Sequence, residues 1–542
     1  MENDTKFHPA AEMYAQDYRD GQMSRREFLS RATMLGVSAA AAYGMIGLTM
    51  PTPAQAAPVK GGTLRVNMET KALKDPRLWD WTEYANFCRG WLDYLTLFNR
   101  DGSVTGSLCE SWEANDNADE YVLHLRPGVT WNNGDAFTTE DLLHNLRRWA
   151  DGNVEGNSMA SRVAGLQDPE TKTLSEDRVE VIDDLTIKLK LAASDISLMA
   201  ALSDYPAAVV HRSFEGGDPS ENPIGTGAYL PESSEVGALQ VLVRNPDHDY
   251  WREGGWLDRI EFIDLGTDQS AVLAAADGDE IDLTYRTDGD FVDAFDAIGW
   301  ASTDVVTANT IAVRFNQLSA PYDNRDVRRA LQMMVDNNKV LELGVSGLGL
   351  KGENHHVCPV HPEYAELPPQ EVDAAKGYAL YQETGLADSE LELISVDTEW
   401  QKNTCDAVAA QMRDAGVNIK RTVLPGASFW NDWTKYPFSA TEWGPRPLGV
   451  QVLALAYKSG AAWNESAFSN AEFDSLLEKA MSVADTDARR EIMTKLETIM
   501  QEEGVLVQPF WRKIYNHSNG QFANVNIHPF YTLDLHDIYK MS

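Results

Sequence analysis

The chain of 542 residues is poor in cysteine and lacks the motifs that mark nucleophiles, phosphate cradles or catalytic zinc. Four cysteines, Cys88, Cys109, Cys358 and Cys405, cannot staple a scaffold of this length, so a packed core must hold it together. No G-x-S-x-G, G-x-x-x-x-G-K-[ST] or H-E-x-x-H occurs, and hydrolase, nucleotide-binding and zincin readings lose their best support. Positive charge is scarce too: 46 Lys and Arg stand against 83 Asp and Glu, for a net charge of −37. With no Lys/Arg-rich run to offset it, that charge repels phosphate backbones and anionic lipid and excludes nucleic acid as a partner. Beyond the first 50 residues no segment is long and apolar enough to span a bilayer.

What is present begins near the N-terminus. Ser24-Arg25-Arg26-Glu27-Phe28-Leu29 sets two adjacent arginines before a weakly apolar, Ala/Gly-rich stretch. Residues 32–50 carry no charge, Pro51 and Pro53 follow, and Ala54-Gln55-Ala56 supplies the small-x-small pattern that signal peptidase cuts. The pattern resembles the leader read by the twin-arginine (Tat) translocase. Residues 1–56 are therefore expected to be removed after export, leaving a soluble periplasmic chain. An uncut anchor is the alternative, weakened by Gly36, Ser38, Gly44, Gly47 and Thr49 inside the run. No cysteine lies at the cleavage site, so no lipid anchor is expected. An oxidising compartment permits the four cysteines to pair in three ways. Proximity in sequence favours Cys88 with Cys109 and Cys358 with Cys405; buried free thiols are the competing reading.

With 43% hydrophobic residues the chain can bury a large core, and its length suggests two to four domains. Periodicity predicts strands at 61–68, 121–125 and 186–191 and a helix near 85–98. Thr138 caps a helix whose Asp141 completes a capping box and whose Leu142, Leu143, Leu146 and Trp149 share a face. A capped helix starts at Asp323. A βαβ unit follows: a strand at 391–396, a helix over about 402–415 ended by Gly416, and a strand at 418–424. Another helix runs through 485–503, and short strand-like pieces lie near 505–515.

Two motifs act as decoys. Gly347-Leu348-Gly349-Leu350-Lys351-Gly352 matches G-x-G-x-x-G but follows a predicted helix where a dinucleotide site needs a strand. His355, His356, Cys358 and His361 are candidate copper or zinc ligands in a loop stiffened by Pro359 and Pro362, and the geometry would decide whether they converge. No cofactor is expected.

Several blocks in order carry a resemblance. They are Gly106-Ser107-Leu108-Cys109-Glu110-Ser111-Trp112, the run Tyr121 to Gly134 with its Arg126-Pro127-Gly128 turn, and Pro223-Ile224-Gly225-Thr226-Gly227-Ala228-Tyr229. Arg244-Asn245-Pro246-Asp247, Tyr250-Trp251, Gly278 to Leu283, Arg314-Phe315-Asn316 and Asp326 to Leu331 continue the series. Together they resemble the dipeptide- and oligopeptide-binding proteins of ABC importers, solute-binding protein family 5. Individually most read as fold determinants, glycines at turns and apolar helix faces. The resemblance implies a two-lobed α/β periplasmic-binding-protein-like fold with a hinge and an extra domain inserted in the N-terminal lobe. Lobe I would comprise 57–89, 199–310 and 510–542, the inserted domain 90–198, and the second lobe 311–509. It implies no enzyme but a carrier that delivers a peptide-like or amino-acid-derived solute to a membrane permease and its ATPase.

The resemblance also places the ligand. The segment after Asp75-Pro76 offers Asp80, Trp81 and Thr82, although Trp79 or Trp81 could equally be core. Peptide binders carry a Trp followed three residues later by an Asp that holds the ligand's amine. Here Glu442-Trp443-Gly444-Pro445-Arg446 keeps Trp443 and puts Arg446 in place of the acid. Arg446 meets an anionic ligand group, or Glu442 or Asp80 takes over the amine, or the loop turns Arg446 outward; an arginine fork suits planar anions. Two other functions remain open: a Tat-exported metalloenzyme using His355 to His361, and a periplasmic chaperone or sensor on the same scaffold.

Overall fold

The structure is a computed structural model that describes residues 9–35, 37–48, 58–101, 103–115, 117–287, 289–483 and 485–541. Two long strands, Ala301–Phe315 and Phe510–Ser518, organise it. They pair antiparallel from Ala301↔Ser518 to Val306↔Lys513, after which the register shifts to Thr310↔Trp511. From Thr310 to Phe315 the first strand pairs along its other edge with Phe438–Trp443. One strand thus passes from one half of the molecule into the other, with its irregularity between Val306 and Thr310.

The halves differ in what flanks these strands. On one side lie Leu283–Thr284, Thr63–Asn67, Arg259–Ile263, Leu239–Arg244 and Tyr229–Glu235 in spatial order; on the other lie Phe438–Trp443, Glu390–Val396 and Asn418–Leu424. Glu390–Val396 and Asn418–Leu424 are parallel, joined by helix Glu399–Ala415, which ends at Gly416 with φ 115°. That is the predicted βαβ unit; the left-handed residue is one that glycine adopts without strain. A separate four-stranded sheet, in the order Cys109–Ala114, Glu120–Leu125, Thr186–Lys190 and Val179–Asp183, stands apart from the main one. Beside it the helix Thr139–Trp149 carries the expected capping box and buries Leu142, Leu146 and Trp149. Gly225 shows why one block tolerates no side chain: a Cβ there would lie 1.8 Å from the Trp91 carbonyl oxygen.

Some expectations need correcting. The helix expected over 85–98 runs only from Thr82 to Cys88, and Thr96–Phe98 is a strand paired with Val104–Gly106. The helix expected from Asp323 begins at Arg325, because the Asn324 side chain is the residue that accepts from the Asp326 amide. The pairings Cys88–Cys109 and Cys358–Cys405 are not made: all four are buried free thiols. Cys88 and Cys109 share one large apolar cluster without bonding. Cys88 ends a helix, Cys109 is in a strand with its thiol toward the Ser111 carbonyl, and Cys358 and Cys405 belong to separate apolar clusters. Burial pushes Cys109, Cys358 and Cys405 up to about 12, so they are protonated and unreactive.

Helices Pro9–Arg19, Arg25–Met34 and Ala39–Met45 pack on the body. Arg25 is exposed and Arg26 half-buried at the start of the second of these, where Ser24 and Glu27 form a capping box. The Val104 amide donates to Thr33 Oγ1 at 2.7 Å, and Trp112 Nε1 donates to the Met34 carbonyl at 3.1 Å. The cleavage pattern Ala54-Gln55-Ala56 lies outside the described residues. Among the described residues no helix is long and apolar enough to cross a membrane.

Candidate functional site

Strand alternation sets the site's second-half wall. In Phe438–Trp443 every residue is buried, and successive side chains point to opposite faces. Thr441 and Trp443 therefore face the same partner: Thr441 Oγ1 donates to Glu465 Oε2 at 2.6 Å and Trp443 Nε1 to Glu465 Oε1 at 2.7 Å. Glu465 is itself held by Arg314 Nε at 2.9 Å, both side chains being fully buried. The Arg314-Phe315-Asn316 block, read in the sequence as a fold determinant, thus orients the Trp443 indole. Glu442 points the other way and accepts from Arg286 and from Asn309 Nδ2 at 2.9 Å, with Arg512 Nη1 at 3.8 Å.

The first-half wall comes from the entry to helix Thr82–Cys88. Trp81 precedes that helix in extended backbone, and Trp79 turns into the core at 0% exposure with its Nε1 donating to the Lys74 carbonyl at 2.8 Å. Of the two indoles weighed from sequence, Trp79 is therefore core and Trp81 is wall. Thr82 Oγ1 and Tyr285 OH share a hydrogen bond of 2.6 Å. Glu83, in the first helical turn, accepts from Arg286 Nη2 at 3.2 Å; burial holds its carboxyl above the usual range despite that guanidinium. Asp80 Oδ1 lies 2.9 Å from Lys74 Nζ, and its carbonyl accepts from Tyr205 OH at 2.8 Å.

Asp80, Trp81, Thr82, Glu442, Trp443 and Arg446, the six binding residues expected from sequence, line one cavity of about 460 Å³. Glu83, Tyr205, Arg286, Trp433, Gly444, Trp463 and Tyr531 complete its wall. It adjoins a more polar space of about 840 Å³ that shares Trp81, Glu83, Arg286 and Glu442. An aromatic surface runs across both halves: Trp81 is 4.2 Å from Trp430 and 6.2 Å from Trp433 between ring centroids, Trp433 is 6.3 Å from Trp443, and Trp443 is 5.9 Å from Trp463. Trp81 Nε1 is buried without a hydrogen-bond partner among the described residues.

Arg446 is not turned outward. It is 5% exposed, its Nη1 donates to the Gly444 and Pro445 carbonyls, and its Nη2 reaches Tyr205 OH at 3.3 Å. Its guanidinium lies over the rings of Tyr205 and Trp463 and 3.3 Å from Asp204 Oδ2. The sequence showed no sign of Asp204 or Tyr205 as its partners, nor of Arg286 as the hub between Glu83 and Glu442. The one available signal was the density of indoles from Trp430 to Trp463.

The histidine cluster diverges. His356 Nδ1 bonds Tyr457 OH at 2.6 Å, His361 Nε2 bonds the Arg446 carbonyl at 3.1 Å, and His355 Nε2 faces Glu353 and Glu497 at 3.4 and 3.7 Å. Burial drives His361 down to about 4 and His356 further below its ordinary value. Among the described residues no three His, Cys, Asp or Glu converge to hold a metal. Each candidate imidazole is spent on tertiary packing. The G-x-G-x-x-G decoy likewise sits after a helix, Asn337–Val345, and forms the short strand Gly349–Lys351.

Comparison with known proteins agrees with this architecture. The chain is 24% identical over 444 residues to heme-binding protein A of Haemophilus influenzae, covering 74% of this chain and 77% of that protein. It is 23% identical over 471 residues to di/tripeptide-binding protein 3 of Pseudomonas aeruginosa, covering 80% and 86%. The crystal structure of Haemophilus influenzae OppA in complex with RPPGFSPFR superposes with a TM-score of 0.80 at 17% identity, over 90% of this chain and all of that one. Residues 103–465 match the model for bacterial extracellular solute-binding proteins, family 5. With its two-lobed α/β fold and a cavity built from both halves, the chain belongs to that family.

Proposed function

We propose that this chain is the extracytoplasmic substrate-binding component of an ABC importer, and that it encloses a small peptide or peptide-like solute between its lobes before delivering it to a membrane permease and ATPase. One observation carries the reading: two segments more than 350 residues apart, around Trp81 and Trp443, close on the same aromatic cavity. Capture needs no covalent chemistry. Indole surface supplies contact area at low entropic cost, while Trp81 Nε1 and the carboxylates of Asp80, Glu83 and Glu442 meet the solute's polar ends. The strand Ala301–Phe315, shared by both halves, is the natural hinge, and its irregularity between Val306 and Thr310 is where bending would concentrate. The names of several relatives are consistent with a di- or tripeptide or a conjugate of that size. Export by the twin-arginine route, cleavage after residue 56 and a periplasmic address belong to the same reading, as does the absence of catalysis.

Native mass spectrometry of the chain lacking residues 1–56, as purified, tests the reading. A stoichiometric small solute is expected, and Trp81→Ala should lower its retention by roughly tenfold or more. Stoichiometric zinc or copper with no organic solute, or no saturable binding of any di- or tripeptide after stripping, would overturn it.

A further inference from the structure

Next to the main cavity, with which it shares Arg446, lies a second space of about 330 Å³ lined by Ser161, Arg162, Ser197, Asp204, Arg446 and Gln451 among others. It is formed where the two halves meet. Arg162 ends helix Met159–Arg162 beside the small sheet, whereas Arg446 follows strand Phe438–Trp443 and Gln451 belongs to helix Gly449–Ala456. Among the described residues Asp204 is the single carboxylate between the two arginines. Its Oδ2 accepts from Arg162 Nε at 2.8 Å and Nη2 at 2.6 Å, and lies 3.3 Å from Arg446 Nε. Both arginines are more than nine-tenths buried.

The charge count does not close. Two guanidiniums share one carboxylate, so one positive charge is uncompensated in a site removed from water. Hydrogen bonding is incomplete as well: Arg446 Nε is buried and makes no aligned hydrogen bond, its contact with Asp204 being ionic only. Elsewhere in the cleft cations do not outnumber acids, since Arg286 and Arg512 stand against Glu83 and Glu442, and Arg314 against Glu465. In a chain of net charge −37 a buried positive surplus is a local exception. Burial tends to raise the Asp204 carboxyl, yet the two guanidiniums outweigh that and hold it below its usual range, so it cannot gain a proton to change the balance in either direction near neutrality.

We infer that this interlobe space is a binding site for a small monovalent anion of the halide class, which completes the Arg162–Asp204–Arg446 set when the lobes are closed. Ala201, Ala454, Leu455 and Met481 complete the wall of this space, so the cationic groups available to an anion are the guanidiniums of Arg162 and Arg446, from opposite halves. An anion here would lower the repulsion that closure otherwise creates between Arg162 and Arg446, and would couple lobe closure to the ambient anion.

Bromide is the probe. Thermal unfolding of solute-stripped protein is measured in bromide against gluconate at constant ionic strength, and crystals grown in bromide are examined for anomalous scattering. A saturable rise in midpoint of about 2 °C is expected, with an anomalous peak between Arg162 and Arg446. Arg162→Met, which removes the surplus charge, should abolish both, and Arg162→Lys should restore part of the rise. No bromide-specific rise and no peak in the unsubstituted protein would overturn the inference, as would an unchanged response in Arg162→Met. Should Arg162→Met fail to fold, the bromide peak in the unsubstituted protein decides alone. Solute capture by the cleft would stand in either case.

Discussion

Two arginines in the wall of one cleft have opposite electrostatic situations. Arg286 stands between two carboxylates, Glu83 and Glu442, and is raised well above its ordinary value: burial works against it and the two acids outweigh burial. Arg446 must share Asp204 with Arg162. Arg446 is buried and Arg286 half-buried, and both touch the cavity, so residue type does not distinguish them. The difference lies in stoichiometry: a buried charge is tolerated when its neighbours neutralise it and is poised for a guest when they do not.

The largest expected effect comes from removing the only acid at the unbalanced site. Asp204→Asn leaves two buried guanidiniums facing each other and should cost about 4 kcal/mol in urea unfolding. A loss below that of Arg286→Met would show that the two sites are electrostatically alike after all. Arg286→Met itself strands Glu83 and Glu442 side by side and should cost about 3 kcal/mol, with the loss shrinking in acid as the stranded carboxylates take up protons.

A carboxylate outside both sites sharpens the contrast. Among the described residues Glu497 has no guanidinium partner, and burial, reinforced by Glu353 and Glu363, raises it to about 9. A carboxyl raised on folding contributes stability that is complete below its unfolded value near 4.5 and is lost as pH rises through about 9. Glu497→Gln, which keeps the neutral form, should therefore flatten the alkaline side of the stability profile between pH 5 and 9; parallel profiles for the two proteins would refute this. A smaller effect is expected for Arg162→Met, which removes two hydrogen bonds to Asp204 but leaves Arg446 beside it, and should cost about 2 kcal/mol in gluconate.

Much of the scaffold was legible in the sequence because local rules and tertiary demands agree there. The Thr138–Asp141 capping box, the βαβ unit closed by Gly416 and the apolar faces of the helices follow from hydrogen bonding and periodicity over a few residues. The helix expected to reach residue 98 failed where such rules are silent: Thr96–Phe98 leaves helical conformation to pair with Val104–Gly106. At the site, the two segments around Trp81 and Trp443 could be named from the family resemblance, and they do line one cavity. What the charges do there could not be read in advance. The disulfides expected from sequence proximity fail for the same kind of reason, since closeness along the chain does not set the geometry a disulfide needs.

By itself the sequence determined many of the elements and their order, because caps, glycine conformations and apolar periods act locally and survive any rearrangement of distant parts, while the two-lobed fold class and the two cleft segments were implied by the family resemblance of its ordered blocks. Only the tertiary structure decided that Trp79 is core while Trp81 is wall, that the imidazoles of His355, His356 and His361 point to separate partners, and that Arg446 is tied to Asp204. Those outcomes depend on which groups from far along the chain share a few ångströms of low-dielectric space, and no spacing in the sequence encodes that distance.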